Sequence, residues 1–179
     1  MAASPSRHRR LAILRALGRA LGVACYATGS VFRSRTLRAM GLPSVAERKF
    51  RRGDFEAARA RALQLLRLAE VEPSEWNYGN AVHKAHLMLG RVALARGDVA
   101  SAEAALLDSA RVPGSPQLAS FGPNMQLALD LLQAGRKEVV LEYFHLCEAF
   151  WEMGRPQLRS WTRDVEQDRL PFFGGNLLY

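Results

Sequence analysis

The stretch HKAHLMLGRVALARGDVASAEAALLDSARVP, His83–Pro113, decides the architecture. Leu87, Gly90, Leu94 and then Ala102, Ala105, Leu106 recur at three- and four-residue spacing, the period of two amphipathic helices. Between them stands Arg96-Gly97-Asp98-Val99. A glycine at that place can take the positive φ that ends a helix, and the aspartate after it can cap the next one. The segment therefore reads as one αα-hairpin.

The same punctuation recurs on either side. Arg52-Gly53-Asp54-Phe55 precedes it, and Ala134-Gly135-Arg136-Lys137 follows it without the aspartate. The spacings are 44 and 38 residues, an array of hairpins with insertions and no strict period. The periodicity predicts helices near 7–24, 44–52, 54–70, 79–96, 99–111, 123–134, 136–153 and 155–167. No stretch alternates as a strand would. Pro43, Pro73, Pro113, Pro116, Pro123, Pro156 and Pro171 are expected between helices. The expected fold class is all-α, with a basic arm over residues 1–42, a helical repeat domain over 43–170 and an apolar tail over 171–179.

These hairpins resemble the tetratricopeptide repeat, a helix–turn–helix unit of about 34 residues. In the second copy Leu89-Gly90, Gly97, Ala102 and Leu106 fall on the motif positions. In the first copy Phe55, Ala58 and Ala62 do so; in the third, Leu127-Ala128 and Phe144, with Val140 where the small residue belongs. Some bacterial members that the chain is similar to carry no assigned activity. The resemblance implies a right-handed solenoid of about three repeats whose concave groove, lined by the first helix of each hairpin, binds a peptide or partner protein without catalysis.

On that register the groove residues are Arg51, Lys84, Met88, Arg91, Met125, Gln126 and Gln133, with Glu47, Phe50, Leu87, Ala95 and Leu129 beside them. Asn77, Asn80 and Asn124 are candidates to hydrogen-bond a peptide backbone at one end. Arg51, Lys84 and Arg91 together favour an acidic partner or a free carboxylate. The plainer reading makes Asn77 or Asn80 a helix cap and Trp76, Tyr78 and Phe121 plugs between hairpins.

Charge is unevenly placed. The formal net charge is +8, yet residues 1–46 hold eight arginines and no acid, and the remaining 133 residues are neutral. A neutral body offers no extended footprint for nucleic acid. Arginine outnumbers lysine 22 to 3, a bias that a GC-rich genome explains as well as any phosphate chemistry. Leu11, Leu14, Leu17 and Leu21, with Arg15 and Arg19 interleaved, form an Arg-rich amphipathic pattern. It suits a loose basic arm, a mitochondrial presequence leading to the matrix, or weak membrane-surface contact through residues 7–24, and a wrongly chosen start is a further reading. Arg15 and Arg19 make it a poor membrane span. Cys25 and Cys147 are the only cysteines, so a disulfide scaffold is excluded and a reducing, cytoplasmic setting is expected.

Candidate chemistry is sparse. His83-x-x-His86 places two imidazoles on one helix face, and His145 or Cys147 would have to complete a metal or hydrolytic site. No zincin glutamate, P-loop, nucleophile elbow or dinucleotide fingerprint accompanies them. No cofactor and no catalytic residue is expected, and the small metal-dependent or hydrolytic enzyme is the alternative. A second alternative is a membrane-peripheral scaffold. The tail 171–179 packs five large apolar side chains into nine residues. It either caps the last helix or lies in the groove as a tethered occupant.

Overall fold

The chain divides into two units, Met1–Arg38 and Ala39–Tyr179. The computed structural model describes residues 41–71, 73 and 76–178, all in the second unit. The basic arm and the helix expected at 7–24 lie outside the described residues.

The described residues are all-helical, without strands. Helix α1 covers 41–51. It is followed by α2 (Phe55–Val71), α3 (Tyr78–Ala95), α4 (Val99–Ala110), α5 (Pro116–Phe121), α6 (Gln126–Gln133), α7 (Lys137–Cys147) and α8 (Arg155–Glu166). Short 3₁₀ turns lie at Glu152–Gly154 and Gly174–Leu177.

Three turns share one hydrogen-bond pattern. Gly53, Gly97 and Gly135 have φ of 74°, 80° and 75°. Each donates its N–H to the carbonyl three residues back, and the next residue donates to the carbonyl five back: Asp54 to Lys49, Asp98 to Ala93, Arg136 to Leu131. That is the Schellman closure, which satisfies helix-end carbonyls and reverses the chain. Asp54 Oδ1 then accepts from Ala57 N at 3.2 Å, and Asp98 Oδ1 from Ser101 N at 3.1 Å. Both carboxyls are held below the usual carboxylate range by hydrogen bonds, from Lys49 first in Asp54 and from Ser101 first in Asp98.

Small residues let the helices close up. Ala58, Ala62 and Ala46 meet Met88 and Val92 in one cluster; Ala69, Ala81, Ala85, Leu42 and Leu65 form another. Gly90 sits where α3 meets α4 and α6: a Cβ there would stand 2.3 Å from Leu127 Cδ2 and 3.1 Å from Ala105 Cβ. The largest cluster joins Leu106, Leu118, Leu127, Leu131, Tyr143, Phe144, Trp151, Leu158, Trp161 and Phe173.

The region after α4 departs from the expected pattern. The helix expected over 123–134 is only α6, and part of the connection before it is helical. Ser115 caps α5 by accepting from Leu118 N at 3.1 Å, with Pro116 in the first turn. Gly122 at φ +80° ends it, and Asn124 Oδ1 accepts from Gln126 N at 2.9 Å to start α6. Trp151 explains the break, since its indole fills the space where Gly122 and Gly154 lack side chains. Pro116 and Pro156 stand in first helical turns rather than between helices, where a missing N–H costs nothing, and Pro43 lies within α1. Trp76 and Phe121 do not plug gaps: they are 56% and 63% exposed. Asn77 makes no side-chain cap; its Oδ1 instead accepts from Asn80 Nδ2, which also reaches Gln117 Oε1 at 2.9 Å.

Candidate binding groove

A cavity of about 260 Å³ opens between α1, α2, α3 and the start of α6. Helix α1 contributes Leu42, Glu47 and Arg51, and α2 contributes Arg61, Ala62 and Leu65. From α3 come Lys84, Leu87, Met88 and Arg91, spaced so that one helix face lines the wall. Asn124 and Gln126 close one side, and Leu177 and Leu178 of the tail form part of the rim.

The cations differ in how they are matched. Arg51 Nε donates to Glu47 Oε1 at 2.7 Å. Arg91 is 15% exposed and donates to Glu47 Oε2 at 2.8 Å and to Asp130 Oδ2 at 3.1 Å. Its guanidinium carbon lies 4.4 Å from the Phe50 ring centroid. Gln126 Nε2 donates to the other Asp130 oxygen at 2.9 Å. This half-buried network ties α1, α3 and α6 together. Arg91 is thus engaged twice over and serves as a strut, not as the open charge expected of it. Arg91→Ala should lower stability by about 2 kcal/mol in chemical denaturation, and Arg91→Lys should restore less than half, because an ammonium cannot fork to two carboxylates.

Lys84 is different. It has no hydrogen bond or ion pair among the described residues, unlike Lys49, which meets Asp54 at 3.1 Å, and Lys137, which meets Asp168 at 2.8 Å. It is half-buried, and desolvation pulls its pKa below that of a free lysine. Four cations and one carboxylate line the cavity, so an uncompensated positive charge sits beside Leu42, Leu65 and Met88. Such a wall suits a ligand that is apolar in part and carries a carboxylate.

Of the ten expected groove residues, Arg51, Lys84, Met88, Arg91, Asn124 and Gln126 line this cavity. Met125 does not: it is fully buried, because the turn before α6 aims it into the core. Gln133 is exposed at the far end of α6, away from the lining. Asn77 and Asn80 are spent on one another and on Gln117. Asp130 and the α2 residues Arg61, Ala62 and Leu65 lay outside the expected set. The pair Gln126 and Asp130, four apart on one helix face, was the available signal for the first.

The histidines are not assembled. His83 is fully buried; its Nδ1 donates to Ser109 O at 2.9 Å and its Nε2 accepts from Asn124 N at 3.1 Å. With both nitrogens engaged, the ring joins α3, α4 and the 122–125 turn. Burial pushes its pKa down to about 4. His145 is exposed, in a shallow depression with Glu148, Arg159 and Arg163. Among the described residues, no three of His, Cys, Asp and Glu are grouped to hold a metal. Cys147 is buried, and desolvation raises its thiol pKa. Nor is any described helix long and apolar enough to cross a membrane. No protein-family model matches the chain, and no curated protein or solved structure matches it.

Proposed function

We propose that the helices form a tetratricopeptide-type array, a right-handed solenoid of about three hairpins, whose groove binds a peptide segment of a partner protein without catalysing a reaction. The three matching turns and the close α3–α4 approach at Gly90 support the array. The observation that carries the binding reading is Lys84, a half-buried ammonium in the groove with no acid beside it among the described residues. Desolvating a charge without a partner is unfavourable, and an incoming carboxylate reverses that cost. The neighbouring Leu65, Leu87 and Met88 take the apolar side chains next to it.

A peptide array tests this. Short peptides carrying Asp or Glu beside Leu or Phe should bind the full chain more tightly than their Asn and Gln counterparts. Lys84→Glu should weaken the acidic peptides by about 30-fold, while its thermal unfolding stays near that of wild type. Equal binding of acidic and amide peptides, or indifference to Lys84→Glu, would contradict the proposal.

A further inference from the structure

The tail after α8 is anchored at two places and is narrow between them. Trp161 Nε1 donates to Phe172 O at 3.1 Å, and the Phe173 ring lies 4.9 Å from the Trp161 ring and 6.1 Å from that of Phe144. Phe173 is buried, so it caps α8 as one of the two expected arrangements requires. Beyond it come Gly174 and Gly175, then a second anchor. Asn176 O accepts from Met125 N at 2.8 Å, and Asn176 Nδ2 donates to Phe121 O at 3.1 Å and Pro123 O at 2.9 Å. From there Leu177 and Leu178 reach the rim of the cavity that Lys84, Asn124 and Gln126 also line.

We infer that residues 174–178 are a displaceable strap across the groove, hinged at Gly174-Gly175, latched by Asn176 and closing the cavity with Leu177 and Leu178. The hinge follows from the glycines: Gly174 holds φ +53°, and a Cβ on Gly175 would meet nothing within 4 Å. The latch is polar and local, whereas the Phe173 anchor is apolar and deep. The strap therefore opens without unfolding α8. Leu178 is 85% exposed, so release of the rim gives up little buried area. If the groove binds peptides, as proposed above, an incoming segment competes with Leu177 and Leu178, and the free protein is partly self-blocked.

Access to Lys84 reports the strap whether or not a peptide binds. The chain has three lysines, and Lys49 and Lys137 are internal standards. The full chain is labelled with a small amine reagent, acetic anhydride, and a bulky one, trinitrobenzenesulfonate, and each lysine is quantified by mass spectrometry. The bulky-to-small ratio cancels changes in proton affinity and leaves access. In Asn176→Ala the ratio at Lys84 should rise about fivefold, the population shift of one net hydrogen bond, with Lys49 and Lys137 unchanged. Leu177→Ser/Leu178→Ser, which spares the backbone latch, should raise it too and covers the case that Asn176→Ala fails to fold. An unchanged ratio at Lys84 in the folded variants overturns the strap. Acidic peptides that bind no better than their amide counterparts, beside a raised ratio, would end the peptide reading and leave the strap standing.

Discussion

Gly90→Leu is expected to abolish cooperative unfolding of the protein. At Gly90 even one methyl meets Leu127 Cδ2 at 2.3 Å, Ala105 Cβ at 3.1 Å and Ala102 O at 3.2 Å. Leu127, Ala102 and Ala105 are buried, and Leu127 is fully so, which leaves no empty space to receive it. Gly90→Ala forces the Leu127 tip aside and should cost about 2 kcal/mol, the ordinary range for overpacking. Helix propensity returns about 1 kcal/mol of that. Leucine adds three more carbons at a place where α3, α4 and α6 already touch, so the helices must part and the main core opens. Gly97→Ala is the control. Its site is strained at φ +80° but open, with nothing within 4 Å, and should cost only about 1 kcal/mol. Urea denaturation followed by circular dichroism separates the two. A Gly90→Leu protein that unfolds cooperatively near the wild-type midpoint would refute the close packing.

The second large effect is acid sensitivity centred on His83. Its pKa in the folded protein is about 4, against 6.5 for an unburdened histidine, chiefly because burial disfavours the imidazolium. Protonation would also remove the Nε2 lone pair that accepts from Asn124 N. Between these two values the unfolded chain binds more protons than the folded one, so stability rises with pH. The contribution is complete above about pH 6.5 and is lost as pH falls toward 4, amounting to about 3 kcal/mol across that window. Charges near the ring include Lys84 and His86, both of which oppose its protonation. The depressed carboxyls of Asp54 and Asp98 act below this window, where they too are protonated. Denaturation midpoints from pH 7.5 to 4.5 should fall steeply in wild type and in His86→Gln, and only weakly in His83→Gln. A slope that survives in His83→Gln would place the titrating group elsewhere.

How much of this was legible depends on separation along the chain. Gly97 and Asp98 act within six residues, so their turn and cap could be read from adjacent letters. The same holds for Gly53-Asp54 and for the glycine of Gly135. The amphipathic face Lys84, Leu87, Met88, Arg91 follows from period alone. What periodicity hides is who meets whom. Arg91 meets Asp130 across 39 residues and Glu47 across 44, and these contacts turn an expected ligand charge into a strut. Trp151 meets Gly122 from 29 residues away and forces the non-helical turn that buries Met125. Asn176 reaches back 55 residues to Phe121, so nothing near the tail reveals where its end lies. Of the two arrangements expected for the tail, Phe173 adopts the cap and Leu177 and Leu178 reach the groove.

Methionine methyl spectra give the most direct measurement of the proposed groove. Met88 lines it, Met125 is buried in the core, and Met153 is exposed outside the lining. Titrating methyl-labelled full-length protein with the strongest acidic peptide from the array should move the Met88 resonance, leave those of Met125 and Met153 in place, and do neither in Lys84→Glu. Binding that shifts Met153 while Met88 stays fixed, or a Met88 shift that persists in Lys84→Glu, would contradict it.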